Sequence, residues 1–255
     1  ANKMWGNHKN ICEIIGITNA QNRTYWQDIE LEKHLKSGDV DGMIKRKKEM
    51  KRKLFRVVAN QTGKLLDENV LTIVWARRFA AYKRANLLLT NFDRFLKLVQ
   101  NKNYPVQIIW AGKPYAEDYG AINIFNEIYW KTKDLSNCTV VTGYELWISD
   151  HLKKGSDVWL NNPRLYHEAS GTSGMTAAMN GSINLSIPDG WVPEFAKHGK
   201  NSFLIGTADD DLTPESKDKI EAQKLLDVLE REIIPLYYDH PDKWQKIVES
   251  SMKDV

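Results

Sequence analysis

The sequence has 255 residues, of which 42% are hydrophobic and 27% charged, a balance that is typical of globular proteins and excludes a disordered chain. The 36 Lys and Arg residues against 33 Asp and Glu give a net charge of only +3, which argues against a dedicated nucleic-acid binder. Two cysteines are too few for a disulfide framework, and no apolar run reaches the roughly 20 residues that cross a bilayer. These features predict a cytoplasmic protein of one or two domains, without a membrane or a nucleic acid as partner.

The first sixty residues are expected to form a lead-in of helices. A short apolar stretch spans 11–17, and a short helix is predicted over 27–35. Met43, Met50 and Leu54 then recur at helical spacing through the very basic segment 45–56, which predicts an amphipathic helix with a solvated cationic face. Such a face could bind an anionic partner, but runs of this kind are usually just solvated.

From residue 71 onward, short apolar runs alternate with helical stretches. Strands are predicted over 71–75, 106–110, 139–142, 157–160, 183–186 and 202–205, and helices over 84–99, 117–133, 146–154, 171–180, 215–234 and 241–252. This alternation predicts an α/β fold with a doubly wound, Rossmann-like parallel sheet. We expect one domain over 1–255, with its core over 61–210 and C-terminal helices over 211–255. Ligands bind such sheets just after the strands.

Cations follow the first predicted strand. Arg77 and Arg78 come directly after it, and Lys83 lies a few residues further on, beside Tyr82, which could donate to a sugar hydroxyl. Arginine and lysine often share a phosphate, because one supplies a planar fork of donors and the other a mobile point charge. Cations at the start of a helix over 84–99 would oppose its dipole, so an anion is expected to compensate them. The alternative is a loop of solvated cations.

A turn of small residues follows the fourth predicted strand by a short loop. Gly171, Thr172, Ser173 and Gly174 lead into a helix, so several backbone N–H groups can point at one anion. Glu168 stands just before this turn, where a carboxylate repels phosphate but accepts hydrogen bonds from a neutral polyol. The alternative is a plain strand-to-helix connection. Taken together, the two segments suggest a ligand that carries both phosphate and sugar.

Other candidates carry less information. Gly112 and Lys113 follow the second strand, although Gly-Lys-Pro is also a common turn. Tyr144 and Trp147 follow the third strand, and His167 adjoins the turn of small residues, but each also suits a structural role. The histidines show no metal-ligand spacing, so no metal is expected. The sequence contains no nucleophile elbow, Walker loop or dinucleotide fingerprint.

Several of these motifs are similar to those of one family. The run Glu-Ala-Ser-Gly-Thr-Ser-Gly-Met over 168–175, with Asn180-Gly181 and Asp189-Gly190 after it, resembles the signature of the α-glucan phosphorylases, which act on glycogen, starch and maltodextrin. The segments 77–84 and 110–113 resemble the family's phosphate-binding segment and its Gly-Lys element. The segments 157–163 and 232–238 are similar to the shorter bacterial branch. The resemblance runs from about residue 11 to near the end, and implies the C-terminal half of a two-domain GT-B fold.

The resemblance implies a function and a set of roles. The family transfers a glucosyl unit reversibly between an α-1,4-glucan and phosphate, giving glucose 1-phosphate, and uses the phosphate group of pyridoxal phosphate. By position, the substrate phosphate would be held by the catalytic residues Arg78 and Lys83. The cofactor phosphate would be held by Arg77 and the backbone of Thr172 and Ser173. The glucosyl ring would contact Tyr82, Glu168, Ser170 and Gly171. The implied partners are the glucan, phosphate or glucose 1-phosphate, an N-terminal domain and, as a further option, identical subunits.

One departure from the family pattern concerns the cofactor. Thr176 occupies the position of the lysine that forms a Schiff base with pyridoxal, and a hydroxyl cannot replace that amine. Ala80 and Ala81 stand where the family usually has a histidine and an acid. Pyridoxal phosphate is therefore expected to be held noncovalently or to be absent, with a neighbouring lysine such as Lys113 or Lys197 as an alternative amine.

Three functions remain open from the sequence. The preferred one is a divergent phosphorylase. The second is a retaining GT-B glucosyltransferase that uses a nucleotide sugar, whose diphosphate would span the region of the two phosphates. The third is a noncatalytic glucan-binding or regulatory module, which the nine tryptophans also suit. In every case we expect the isolated chain to be inactive, because a GT-B cleft needs both domains.

Overall fold

The computed structural model describes residues 7, 12, 13 and 15–255, so part of the apolar stretch predicted over 11–17 lies outside the described residues. Within these described residues, three helices come first: α1 spans Arg23–Trp26, α2 Ile29–Ser37 and α3 Val40–Thr62. Asn22, Asp28 and Asp39 cap them, each accepting a hydrogen bond from the backbone N–H three residues on. The helix predicted over 27–35 starts two residues later, because the Asp28 side chain is its N-cap.

Helix α3 confirms the amphipathic helix predicted through 45–56 and is longer than that segment. The expected full solvation of its cationic face is wrong, because Lys51 is buried and pairs with Asp157 at 2.5 Å. Lys47 donates three hydrogen bonds of 2.9–3.0 Å, to two carbonyl oxygens and to the Ser182 hydroxyl. Part of this cationic face therefore attaches the lead-in to the sheet.

A parallel sheet forms the centre of the fold. Within the described residues it has six strands: β1 Leu71–Ala76, β2 Val106–Ala111, β3 Cys138–Val141, β4 Val158–Asn161, β5 Ile183–Ser186 and β6 Ser202–Leu204. Their order is β3-β2-β1-β4-β5-β6, and all neighbours run parallel. This order confirms the predicted Rossmann-like α/β fold. Nearly all strand residues are buried, so the strands read as continuous apolar runs.

Helices cover both faces of the sheet. The side chains of Ile73 and Trp75 pack in one cluster, with α4 (Phe92–Val99), α5 (Tyr119–Thr132) and α9 (Pro214–Val228). Val74 packs in the opposite cluster, with α3, α6 (Leu146–Gly155) and α7 (Thr172–Ala178). The remaining helices are α8 (Val192–Phe195), α10 (Ile234–Asp239) and α11 (Pro241–Asp254). Among the helices described, none is long and apolar enough to cross a membrane.

The helix predicted over 84–99 is wrong in its first half. Arg84 has a left-handed backbone with φ of 50°, and Leu87–Leu89 form only a single 3-10 turn. Helix α4 therefore begins at Phe92, where the Asn91 side chain caps it. The cations over 77–83 do not stand at the N-terminus of an α-helix, so the dipole argument for a compensating anion does not apply. The helix predicted over 215–234 is also interrupted, by the π turn Leu229–Ile233.

Strands β1 and β4 lie side by side at the centre of the sheet. The chain continues from β1 towards β2 and from β4 towards β5, which lie on opposite sides. The two loops therefore diverge and leave a crevice at the carboxyl edge, where sheets of this class bind ligands. The segments that begin at Arg77 and at Asn162 leave the sheet at this crevice.

Candidate functional site

Arg77 begins the loop after β1, and hydrogen bonds to strand residues hold it in position. Its backbone N–H donates to the carbonyl of Ala111, the last residue of β2, at 3.0 Å. Its guanidinium donates to the Asn161 side chain and to the carbonyl of Leu160 at 3.1 Å. Gly112 lies so close to the Arg77 carbonyl that a Cβ there would overlap it. The Gly-Lys element after β2 therefore has a structural function, which is to let the two loops approach.

The Arg77 guanidinium is a buried cation with unused donor capacity. Burial lowers its pKa below the ordinary value, and the negative charge of Glu168 acts in the opposite direction. Its Nε has no hydrogen-bond partner among the described residues, and the Glu168 carboxylate lies 4.0 Å from Nη1. Because an arginine stays charged in proteins, this arrangement favours an anionic ligand.

Lys83 and Glu168 join the two loops of the crevice. Lys83 lies in the 3-10 turn Ala81–Lys83 after β1, and its Nζ is 3.0 Å from Glu168 Oε2. The two side chains are only 12% and 13% exposed, so the pair is largely desolvated. Tyr82 stacks on the His167 ring with 6.1 Å between the centroids. The structure thus brings Arg77, Tyr82, Lys83 and Glu168 together.

Arg78 and Arg84 differ from this cluster. Arg78 is exposed and forms no hydrogen bond or ion pair with the part of the chain that the structure describes. Its place in phosphate binding stays a prediction. Arg84 is buried, and it donates to the carbonyl oxygens of Asn162 and Pro163 and pairs with Asp218 and Glu221. Arg84 therefore holds the loop after β4 against helix α9.

Asp189 organises the loop that carries Glu168. Its Oδ2 accepts the backbone N–H groups of His167 at 3.0 Å and of Glu168 at 2.9 Å. The neighbouring Gly190 approaches the Ser170 carbonyl so closely that a side chain would overlap it. That carbonyl in turn accepts the N–H of Trp191 at 2.9 Å. The loop after β5 therefore fixes the position of the Glu168 backbone.

Helix α7 begins at the same crevice. Gly171 is its N-cap in a left-handed conformation, with φ of 81°. The N–H groups of Thr172 and Ser173 have no acceptor in the described part of the chain, and the Ser170 hydroxyl is buried without a partner there. These donors could hold a phosphate or sugar oxygen. Thr176 is fully buried, and its hydroxyl donates to the Ser173 carbonyl at 3.0 Å.

The weaker candidates are distributed more widely. Lys113 and Trp147 are exposed, and Lys197 is exposed and pairs with Asp254 at 3.5 Å. Tyr144 lies beside the cluster, since its hydroxyl is 3.4 Å from the carbonyl of Ala76, the residue before Arg77. Burial raises the pKa of Tyr144. Among the described residues, no group of acidic, histidine and cysteine side chains could hold a metal ion.

Two residues of the site were not found from sequence patterns. Asn161 bridges Arg77 and the Ser186 hydroxyl, and Asp189 holds the Glu168 loop. Asn161 is a polar residue at the end of a buried strand, a placement that itself indicates a hydrogen-bonding role. Asp189 appeared only as part of the family signature, because its partners lie more than twenty residues away.

The fold and the site define a doubly wound α/β protein with cations, a carboxylate and open backbone donors at its switch point. The profile of the carbohydrate phosphorylases matches residues 8–233. The chain is 51% identical over 212 residues to an uncharacterized protein of Methanocaldococcus jannaschii, covering 82% of this chain and 40% of that protein. It is 41% identical over 230 residues to the maltodextrin phosphorylase of Thermococcus litoralis, covering 88% of this chain and 27% of that protein.

The glycogen phosphorylase of Aquifex aeolicus is 37% identical over 201 residues, covering 76% of this chain and 28% of the relative. The chain therefore belongs to the carbohydrate phosphorylase family, and the resemblance stated from its motifs is confirmed. It spans 40% or less of the length of these three relatives.

Proposed function

We propose that the chain is the phosphate-binding half of an α-glucan phosphorylase-type hexosyltransferase. It would take part in the reversible transfer of a glucosyl unit between the end of an α-1,4-glucan and phosphate, which yields glucose 1-phosphate. One observation carries the proposal: Lys83 and Arg77 from the β1 loop meet Glu168 from the β4 loop at the switch point. The relatives named maltodextrin phosphorylase and glycogen phosphorylase support it.

When substrates bind, Lys83 and Glu168 would give up their ion pair and each would contact a substrate instead. A phosphate that enters the crevice competes with Glu168 for the Lys83 ammonium, and Arg78 is free to join it. Glu168 then has both carboxylate oxygens available for hydroxyls of the glucosyl unit. Tyr82, Ser170 and Gly171 lie beside it on the same two loops. Fixed cations beside a leaving phosphate stabilise the charge that develops on it, without reorganisation during the reaction.

The site suits the phosphate group of pyridoxal phosphate but not its aldehyde. The free Nε of Arg77 and the open N–H groups of Thr172 and Ser173 suit its phosphate group. Thr176 does not suit its aldehyde, because the Thr176 hydroxyl is bonded within its own helix and offers no amine. When bound, the cofactor supplies a phosphate group beside the substrate phosphate. We include no covalent bond at position 176.

Thr176 also favours a second candidate, transfer from a nucleotide sugar. In that case the Arg77 and Lys83 cations would hold the two phosphates of one diphosphate, and no pyridoxal would be needed. A glucan-binding module without catalysis would use the same surface without turnover. The first two candidates differ in the anionic ligand that they require, and the third differs from both in the absence of turnover, so assays can separate them.

The test uses the complete protein with maltodextrin, inorganic phosphate and pyridoxal phosphate, and measures glucose 1-phosphate. We expect the unaltered protein to release glucose 1-phosphate. In Lys83→Met the rate of release should fall by about 100-fold or more, as when other electrostatic contacts to a transition state are lost. Lys113→Met is the matched control, since Lys113 is an exposed lysine of the neighbouring loop. No release in the presence of the cofactor contradicts the proposal. Calorimetric binding of UDP- or ADP-glucose would then support the second candidate.

A further inference from the structure

A cavity of about 290 Å³ lies at the amino edge of the sheet, opposite the crevice. Helices α2, α3, α10 and α11 surround it, together with Asp157, the residue directly before β4. Its apolar walls come from buried side chains of three of these helices: Leu31, Met43, Trp244 and Val248. The cavity is therefore separate from the site that contains Arg77 and Glu168.

The mouth of the cavity is open to solvent. Ile44 of α3 and Asn69 of the loop before β1 line the cavity and are themselves exposed. The ring of Tyr237 lies deeper, 5.3 Å from the Trp244 ring and nearly perpendicular to it. A small molecule can thus enter from solvent and meet an apolar, partly aromatic interior.

Two oxygen atoms inside the cavity have unused hydrogen-bonding capacity. Asp157 Oδ2 accepts from Lys51 and from the Thr72 N–H, but Oδ1 accepts from none of the described residues, although the side chain is only 6% exposed. The Tyr237 hydroxyl also has no hydrogen-bond partner in the described part of the chain. Neither oxygen is fully enclosed by protein, so each faces the cavity that its residue lines. Buried polar groups of this kind require a partner.

The two oxygens are complementary to a hydroxyl group. Burial, and then the negative charge of Asp157, raise the pKa of Tyr237 above its ordinary value, so the phenol stays protonated and can donate. Asp157 Oδ1 can only accept. A hydroxyl placed between them donates to Asp157 and accepts from Tyr237. A water molecule can do the same, but it does not fill the apolar remainder of the cavity.

The charges around the cavity disfavour a charged ligand. Three lysines line it, at positions 47, 48 and 51, together with the carboxylates of Glu68 and Asp157. A cation would meet the excess of ammonium groups. An anion that reaches the polar end would lie against the Asp157 carboxylate, and burying either charge without a partner is costly.

We propose that this cavity is a binding site for a small neutral alcohol. Its ring-sized apolar body would pack against Met43 and Trp244, and its hydroxyl would lie between Asp157 and Tyr237. An apolar cavity of about 150 Å³ already holds benzene, so about 290 Å³ accommodates a ring with a substituent. Burial of the apolar body supplies the affinity, and the two oxygens fix the orientation. The inference is independent of the proposed function.

The test titrates the complete protein with benzyl alcohol and follows binding by saturation-transfer NMR. We expect saturable binding with a Kd of about 1 mM or lower, which is within reach of a buried ligand of this size. Benzylamine and benzoate carry the same ring with a cation or an anion, and each should bind at least about tenfold more weakly. Inorganic phosphate in excess should not displace benzyl alcohol, because the crevice lies at the other edge of the sheet.

Two variants and a control locate the probe. Tyr237→Phe removes a hydroxyl without a partner among the described residues, so the fold should persist while binding weakens about fivefold, as for one lost hydrogen bond. Val248→Phe places a ring in the cavity and should abolish binding. Tyr129→Phe is the matched control, because it removes an exposed tyrosine hydroxyl far from the cavity lining and should change nothing.

Several results would overturn the inference. No saturable binding would mean that water alone occupies the cavity, and displacement by phosphate would place the probe in the crevice. Tighter binding of benzylamine or benzoate would contradict a neutral ligand. Unchanged affinity in Tyr237→Phe would remove the assigned hydrogen bond, even where Val248→Phe does not fold. Release of glucose 1-phosphate enters none of these measurements, so failure of the proposed function is scored separately.

Discussion

At the residue scale, the site depends on a close backbone contact between Gly190 and Ser170. Gly190 has a φ of 63°, and a Cβ at this position would overlap the Ser170 carbonyl. We expect Gly190→Ala to destabilise the fold by about 2–4 kcal/mol, from left-handed strain and overpacking together. The loop that carries Glu168 would shift. Chemical denaturation measures the first effect and phosphate binding the second.

Gly38→Ala separates the two causes. Gly38 ends helix α2 with a φ of 70°, but nothing lies within 4 Å of a Cβ there. The expected loss is therefore only about 1–2 kcal/mol, from strain alone. Equal losses in the two variants would show that the Gly190–Ser170 contact does not constrain the loop.

Lys153, a buried lysine in the last turn of α6, gives a second prediction, which concerns pH. Its pKa is about 8 in the folded protein against 10.5 in the unfolded chain, so the unfolded state binds more protons between these values. The free energy of unfolding of the unaltered protein, relative to that of Lys153→Met, should therefore rise with pH across this window by roughly 3 kcal/mol in total. Below pH 8 the difference should be constant. Denaturation of both proteins at a series of pH values checks the slope.

The site residues that directly follow a strand could be predicted from the sequence, whereas those whose partners are distant in the chain could not. Arg77, Lys83 and Glu168 follow strands, so the position of each in the chain already places it at the ligand edge. The role of Asp189 depends on a carboxylate that reaches back across the crevice, and the sequence contains no local sign of it. Arg84 stands in sequence beside the cations that we propose to bind phosphate, but its side chain pairs with Asp218 and Glu221 of α9.

At the element scale, α3 is joined to the sheet by a buried ion pair. Lys51 contacts Asp157, which also accepts the Thr72 N–H of β1 at 2.9 Å. We expect Lys51→Met to cost about 3–5 kcal/mol, because it leaves the Asp157 charge buried and unpaired. The matched control Lys53→Met, on the exposed face of the same helix, should change stability by less than about 0.5 kcal/mol. Similar losses in both would contradict this role.

The order of elements was predictable because buried parallel strands and amphipathic helices leave different patterns. The strand over 71–75 and the helix over 146–154 match the structure to within one residue at each end. The helix over 84–99 failed where apolar residues continue but the backbone does not, since Leu87–Leu89 are buried in a 3-10 turn. A buried turn needs apolar residues just as a buried helix does, so apolar spacing alone does not distinguish the two.

At the scale of the whole molecule, the site is open on one side. The loops that carry Arg77 and Glu168 and the start of α7 lie at one edge of a single sheet, and the chain spans 40% or less of the length of three relatives. A transferase must exclude water from a glucosyl unit in transit, and one open edge cannot do so. The proposed transfer therefore needs a second wall, and we propose that an N-terminal domain supplies it.

This geometry predicts a division between binding and turnover. The 255-residue chain alone should bind phosphate at the Arg77–Lys83 cluster but release no glucose 1-phosphate from maltodextrin. Lys83→Met should weaken the phosphate binding, whereas Lys113→Met should not, which separates a formed site from nonspecific attraction. Calorimetry with phosphate and a coupled assay for glucose 1-phosphate measure the two properties on one preparation. Turnover by the chain alone would show that its own loops enclose the reacting groups, and would remove the need for a second domain.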